Sequence, residues 1–289
     1  MNSLEKNGIS EAAKANRTVW AAGAYDALSA RLIEEAGFAA AMTTGFGVSA
    51  SHLGQPDLEL YTMSENLNVV GNIVDSVAIP VIADTDTGYG NAINVMRTVR
   101  EFERAGVAGM IFEDQESPKR CPAAANRVEL LPLQEGAAKI RAATHARRDE
   151  DVLIIARTDA MDEAEAVDRG QAYVEAGADL VQPISKCFSD FDGLVRFREA
   201  VRVPLSLQLL GWLETDLTPG QVEQVAGLAV FPLVGLMTAT AALRANLGAL
   251  AKRHSSAQLP NEVTTMGEFK SIVGFDELEA MQSRFLVGR

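Results

Sequence analysis

The sequence predicts an α/β fold of the (β/α)8 TIM-barrel type, a single domain over residues 1–289 with the barrel itself at about 17–250. Three observations lead there. Short apolar runs, each the length of a strand buried on both faces, recur along the chain with helical stretches between them. Several of those helical stretches end in Ala-Gly, a left-handed helix stop that lets the next strand begin at once. No glycine-rich turn follows the first run, so the signature of the rival doubly wound open sheet is missing. Eight such units in roughly 230 residues have the proportions of a closed barrel.

In chain order the expected strands are TVWAAGA from Thr18, AAAMTTG from Ala39, PVIADTD from Pro80 and AGMIFED from Ala108. They continue with VLIIARTD from Val152, LVQP from Leu180, PLSLQ from Pro204 and LAVFPL from Leu228. Gly37, Gly106 and Gly177 supply the left-handed helix ends before the second, fourth and sixth strands. Pro80 and Pro204 open strands, where a missing N–H is tolerated. NVMRTVREFERAG and EAEAVDRGQAYVEAG carry helical periodicity between strands. Two segments exceed the minimal barrel. Residues 115–133 form a long connection after the fourth strand and are expected to be a mobile loop. A helix (TATAALRANLGALAKRH), a polar spacer and an amphipathic helix (DELEAMQSRFL) follow the eighth strand, with a separate C-terminal helical segment at about 250–289.

Composition narrows the function. Hydrophobic residues make up 47% and charged residues 22% of the 289, the balance of a globular protein with a large core. A net charge of −13 argues against nucleic acid, since no basic surplus exists to neutralise phosphates. An anionic substrate would then need local positive charge from a metal ion, an arginine or backbone N–H groups. MNSLEKNGISEAAKANRT has no apolar core after its lysine and does not read as a secretory signal. No run of about 18 uninterrupted apolar residues occurs, so no membrane span is expected. Two cysteines, Cys121 and Cys187, are too few for a disulfide framework and fit a reducing cytoplasmic setting.

In a TIM barrel the C-terminal ends of the strands surround the active site. Here Asp84 and Asp86 end the third strand, and Glu113 and Asp114 end the fourth. Strand alternation would point Asp84 and Asp86 the same way. With Glu113 they form an all-oxygen set that suits Mg²⁺, or Mn²⁺, rather than zinc. Helix capping or salt-bridged rim carboxylates would explain the same residues without a metal. Arg157, in ARTD, is a natural partner for a substrate carboxylate, or else it neutralises the acidic cluster. Thr44, Gly45 and Phe46 end the second strand, where backbone N–H groups could hold a carboxylate. Cys121 lies in PKRCP, where Lys119 and Arg120 would favour its thiolate. Cys187 has no comparable setting, His145 and His254 read as surface residues, and His52 is a weak candidate. No nucleophile elbow, P-loop or zinc pattern is present.

TGFGVSASHLGQPD, ADTDTGYGNAINVMRTVREFERAG, FEDQESPKRCP, IIARTD and FPL occur in this order over most of residues 18–245. Together they resemble the isocitrate lyase/phosphoenolpyruvate mutase superfamily, and within it the methylisocitrate lyase, dimethylmalate lyase, oxaloacetate hydrolase and carboxyphosphonoenolpyruvate mutase branch. The resemblance implies an Mg²⁺ site served by Asp84, Asp86 and Glu113 with Asp57 nearby. It implies that Thr44, Gly45, Phe46 and Arg157 hold the carboxylate of a 2-oxo acid. It implies a gating loop at about 115–133 and a catalytic role in it for Cys121, which in the lyase branch protonates the carbanion left by C–C cleavage; Lys119 precedes it in the loop. A homotetramer, a dimer of dimers with exchanged C-terminal helices, is implied as well. Five departures from the family pattern share a direction: Pro122 and Ala123 replace a glycine and histidine, Ile184 a glutamate, Gln208 an asparagine and Met237 an arginine. The half of the pocket expected to hold a succinate-like fragment has lost charge, so a dicarboxylate there would be poorly paired. The expected activity is Mg²⁺-dependent cleavage of a C–C bond in a 2-hydroxy or 2-oxo acid. Pyruvate or glyoxylate would leave, with a second fragment less charged than succinate. Oxaloacetate-type hydrolysis or decarboxylation, C–P bond rearrangement and a non-catalytic 2-oxo acid or partner-binding barrel are the alternatives.

Overall fold

A computed structural model describes residues 8–15, 17–121 and 128–286. Pro122 and Ala123, two of the departures noted above, lie outside them. Eight parallel strands close into a barrel in sequence order. They are β1 (Val19–Ala24), β2 (Ala40–Thr43), β3 (Val81–Asp84), β4 (Gly109–Glu113), β5 (Leu153–Thr158), β6 (Leu180–Pro183), β7 (Leu205–Gln208) and β8 (Ala226–Phe231). Each falls within or beside its expected run; β8 begins two residues earlier than expected. Gly37, Gly106 and Gly177 all adopt positive φ, as the Ala-Gly pattern requires.

Alternation along the strands builds two shells. Ile82, Ile111, Ile155, Leu180 and Val230 pack together inside the barrel. Their neighbours Ala83, Met110, Phe112, Ile154 and Ala156 pack outward under the helices. Helix Ala92–Ala105 shows how the outer shell forms. Asn91 caps its first turn by accepting from the Ile93 and Asn94 N–H groups, and Gly106 ends it at φ 93. Between these stops Val95, Thr98, Val99 and Phe102 share the buried face. Truncating the fully buried Phe102 to alanine would cost about 3–5 kcal/mol. Helix Gly8–Lys14 joins Ile9, Ala12 and Ala13 to Val19, Leu153 and Leu228, closing the end of the barrel where the strands begin.

The long connection after β4 is fastened at its base. Gln115 and Leu130 form an antiparallel bridge, and Glu116 N–H donates to the Glu129 carbonyl at 2.8 Å.

Contacts divide the chain into two compact units, residues 1–234 and 235–289. The helix Val234–Arg253 therefore falls almost wholly in the second unit. In that unit Asn246 and Asn261 exchange side-chain and backbone hydrogen bonds, folding the polar spacer back along the helix. Helices Met266–Ile272 and Phe275–Phe285 follow, the first capped by a Thr265–Glu268 box. Val234–Arg253, 20 residues long with a window of mean hydropathy 1.2, is the one helix among the described residues that passes a length-and-composition test for a membrane span. Thr238, Thr240, Arg244 and Asn246 interrupt it.

Candidate active site

The inward positions at the C-terminal end of β3, β4 and β5 are Asp84, Glu113 and Arg157. Registers Asp84↔Ile111 and Glu113↔Arg157 set the three strands side by side. One ligand oxygen from each of Asp84, Asp86 and Glu113 lies within 4.8 Å of the others. Asp86 joins the set for a different reason from the one strand alternation suggests. β3 ends at Asp84, and Asp86 sits in the following turn at φ 50, its N–H donating to Asp84 Oδ1 at 3.1 Å. A left-handed turn, not a continued strand, brings its carboxylate back over the barrel.

Around this cluster the charges are densely paired. Lys119 Nζ lies 2.5 Å from Asp86 Oδ1 and 3.2 Å from both Glu113 Oε1 and Asp57 Oδ2, with its side chain 2% exposed. Burial raises Asp86 to about 6, although Lys119 opposes the shift. Burial likewise raises Glu113 to about 8 against the pull of Arg157 and Lys119. Asp57 is raised by burial too. Burial alone would depress the Lys119 ammonium, but the surrounding carboxylates hold it well above its ordinary value. Tyr89 Oη donates to Asp86 Oδ2 at 3.3 Å and accepts from Asn66 Nδ2 at 2.8 Å.

Arg157 is held between two acids. Nη1 donates to Glu113 Oε1 at 2.8 Å, while Nε and Nη2 donate to Asp159 Oδ1 at 2.9 and 2.8 Å. One N–H on each terminal nitrogen is left to point elsewhere. The Gln115 amide donates to Asp159 Oδ2 at 2.6 Å and to Glu113 Oε2 at 3.2 Å, locking the pair. Asp114, adjacent to Glu113, turns the other way. It accepts from Tyr173 Oη at 2.7 Å, from Arg169 Nη1 and from the Asp159 N–H.

Asp159 and Gln115 are absent from the set read off the sequence. The available signal was spacing: each follows a recognised residue by two positions and so shares its side of the chain. Glu59 gave no such signal. It accepts from the Ser117 hydroxyl at 2.7 Å, the Lys119 N–H at 3.0 Å and the Thr87 hydroxyl, tying the loop to the turn after β3.

A cavity of about 400 Å³ opens beside this cluster. Thr44, Gly45, Phe46, Asp57, Asp84, Cys121, Arg157 and Gln208 line it, so most of the sequence-predicted residues converge on one space. Asp86, Glu113 and Lys119 are buried next to them. The remaining wall comes from Gln182, Pro183, Ile184, Ser185, Lys186, Leu210, Gly211, Pro232 and Leu233. The Gly45 N–H donates to Asp84 Oδ2 at 3.0 Å. Cys121 is a half-buried free thiol. The positive charges expected beside it are engaged elsewhere. The Lys119 ammonium lies among the carboxylates, and Arg120 pairs with Glu129 at 3.4 Å. Cys187 is half-buried, and burial pushes its thiol up to about 12, so it carries no reactive thiolate. His52, His145 and His254 are exposed, and Met237 belongs to the second unit.

The donor set fits a hard divalent cation. All its ligand atoms are carboxylate oxygens, and Asp57 Oδ1 is buried without a hydrogen-bond partner. Space for it depends on Gly45. A β-carbon there would sit 2.8 Å from Tyr61 Oη and 3.2 Å from both Asp84 Oδ2 and Asp86 Oδ1.

Residues 11–254 match the phosphoenolpyruvate phosphomutase family. The 2,3-dimethylmalate lyase of Eubacterium barkeri is 37% identical, the alignment covering 100% of both chains. The crystal structure of phosphoenolpyruvate phosphomutase from Streptomyces platensis subsp. rosaceus superposes with a TM-score of 0.91 at 32% identity, covering 98% of this chain and 99% of that one. Phosphonopyruvate hydrolase in complex with oxalate and Mg²⁺ superposes with a TM-score of 0.87, also at 32% identity and the same coverage. With its closed eight-stranded barrel and acidic cluster, the chain belongs to the phosphoenolpyruvate phosphomutase/isocitrate lyase superfamily.

Proposed function

We propose that this protein is an Mg²⁺-dependent lyase that cleaves a C–C bond of a 2-hydroxy carboxylic acid. It releases a 2-oxo acid such as pyruvate or glyoxylate, and a second fragment less charged than succinate. One observation carries the reading: a single cavity joins an acidic cation site and Arg157 to a loop thiol on one side and an apolar wall on the other. The likeness to 2,3-dimethylmalate lyase supports it.

Asp84, Asp86 and Glu113, with Asp57 beside them, hold the cation. When bound, Mg²⁺ supplies Lewis-acid polarisation of the substrate's 2-oxygen and carboxylate. Arg157 receives the carboxylate on its two uncommitted N–H groups, fixed in angle by Glu113 and Asp159. Thr44, Gly45 and Phe46 form the floor on the same side. As Asp57, which lines the cavity and whose Oδ1 has no hydrogen-bond partner, takes the 2-hydroxyl proton and the adjacent C–C bond breaks, the bonding pair passes to the departing carbon. The Cys121 thiol delivers the proton that this carbon needs. Glu59 anchors Ser117 and Lys119 at the start of the loop that carries Cys121, and closure of that loop would exclude water.

The rest of the proposal concerns assembly and setting. Leu243 and Leu247 are each 58% exposed, and Met266 and Phe285 72% and 66%. Such residues call for cover. A homotetramer, a dimer of dimers exchanging the C-terminal segment, provides it. The enzyme then works as a cytoplasmic protein on small carboxylic acids, with no nucleic-acid or membrane partner.

A coupled assay for pyruvate or glyoxylate release from a panel of alkyl-substituted malates tests the reaction, with oxaloacetate consumption and ³¹P NMR of phosphonopyruvate followed in parallel. The expected result is 2-oxo acid release. Turnover of the phosphonate alone would transfer the protein to C–P chemistry, and turnover of oxaloacetate alone to hydrolysis or decarboxylation.

A further inference from the structure

The turn that carries Asp86 has a backbone its own residues disfavour. Between β3 and the helix Ala92–Ala105, Asp86 and Tyr89 adopt φ 50 and φ 60, although neither is glycine. Such a turn persists only where its surroundings hold it. Three consecutive carbonyls show how it is held. The Glu113 N–H donates to the Asp86 carbonyl at 2.8 Å, and the Thr98 hydroxyl donates to that of Gly88 at 3.1 Å. Between them the Lys139 ammonium donates to the Thr87 carbonyl at 2.9 Å. Lys139 belongs to the buried face of the helix Leu133–Ala146 and is 4% exposed. Glu59, Glu135 and Asp114 act on the ammonium through space, but burial outweighs them and lowers its pKa.

We infer that Lys139 is a positioning residue for the cation site, holding Asp86 in place through the Thr87 carbonyl. The inference rests on the reading of Asp84, Asp86 and Glu113 as cation ligands, and deepens it. An apolar side chain of similar length would fill the same space without the cost of burying a charge. The ammonium adds what such a side chain lacks, a charged donor that fixes the carbonyl next to Asp86. Its bond also reaches the loop. The Thr87 hydroxyl joins Glu59, which accepts from the Ser117 hydroxyl and the Lys119 N–H. From the helix layer, one buried lysine therefore braces both the ligand turn and the anchor of the segment leading to Cys121.

Calorimetry of Mg²⁺ binding and hydrogen exchange of the metal-free protein test this on wild type, Lys139→Met and Lys139→Arg. For Lys139→Met, Mg²⁺ affinity should fall about tenfold, the usual worth of a group that orients a metal ligand. Amides of residues 85–90 should exchange faster, while those of β6 and β7 keep their wild-type rates. Lys139→Arg, which keeps the charge and the donors, should restore most of both. Unchanged Mg²⁺ affinity in Lys139→Met would overturn the inference. Exchange that quickens equally in β6 and β7 would overturn it too, since that marks a packing role alone. If the methionine variant does not fold, Lys139→Gln, which keeps a donor of shorter reach, carries the same two readings. Failure of Mg²⁺ to bind the wild type would remove the cation-site reading itself, and this inference with it.

Discussion

The two sides of the cavity are made differently. On the side of β3, β4 and β5, registers run continuously from Gly109↔Leu153 to Glu113↔Arg157, and nearly every polar atom has a named partner. On the side of β6 and β7 the strands pair at Val181↔Leu205, and a bulge shifts the register at Leu205/Ser206. There the wall is Ile184, Leu210, Pro232 and Leu233, with two amides and a lysine. The first side has the preorganisation that chemistry needs, since a charge network fixes each donor before substrate arrives. The second is a packing surface, which can change shape without disturbing the charges opposite. The difference teaches that reaction type and substrate identity are set by separate residues.

The largest effect should come from the network itself. Glu113→Gln removes a cation ligand and the Arg157 partner together. A loss of about 10³-fold or more in turnover is expected, together with loss of Mg²⁺ binding by calorimetry, because Lewis-acid stabilisation is worth several kcal/mol. Retained metal affinity in this variant would break the claim that this side is a cation site.

Cys121→Ser tests the loop between the two sides. A fall of about 10²–10⁴ in turnover is expected from loss of the proton donor, with Mg²⁺ and oxalate affinity unchanged. Near-wild-type turnover would leave the thiol without a catalytic part.

Leu210→Ala should act on the far side alone. It enlarges the apolar wall, so kcat/KM should fall by about tenfold, mostly through KM, with oxalate affinity unaffected. Equal losses for oxalate and substrate would mean that the two sides are not independent.

The same contrast governed what could be read in advance. Asp84, Glu113, Arg157 and Cys121 stand out because their chemistry is conspicuous at the ends of apolar runs, and strand alternation places the first three. Asp86 was grouped correctly through the wrong geometry, since a left-handed turn at φ 50 leaves no periodic trace. Glu59 was invisible. It lies in an irregular segment after β2, and its partners Thr87 and Ser117 are brought near only by the pairing of β2, β3 and β4 side by side. The basic charge expected at Cys121 was misplaced because sequence neighbours need not be spatial ones: Lys119 turns away into the carboxylates. On the far side Ile184 signals only an absence, and the bond from the Trp212 indole to the Ser185 carbonyl that builds the turn after β6 has no trace in the sequence.

The smallest effect separates the two sides by titration. Glu113 is raised to about 8 and Asp86 to about 6, both by burial, so the folded, metal-free protein holds protons that the unfolded chain releases at lower pH. Where the folded state binds more protons, stability declines as pH rises. The contribution is present in full below the ordinary carboxylate range near pH 4, and it is lost progressively up to about pH 8. Thermal denaturation with chelator should therefore show a Tm falling by a few degrees between pH 5 and 8. Mg²⁺ requires the ionised carboxylates, so its affinity should rise over the same interval and flatten the Tm profile. Lys186→Met, on the opposite wall, should leave both profiles as they are. A metal-free Tm that rises from pH 5 to 8 would mean that the acidic side is already ionised and charge-balanced by Lys119 and Arg157 alone, with no need of a cation to complete it.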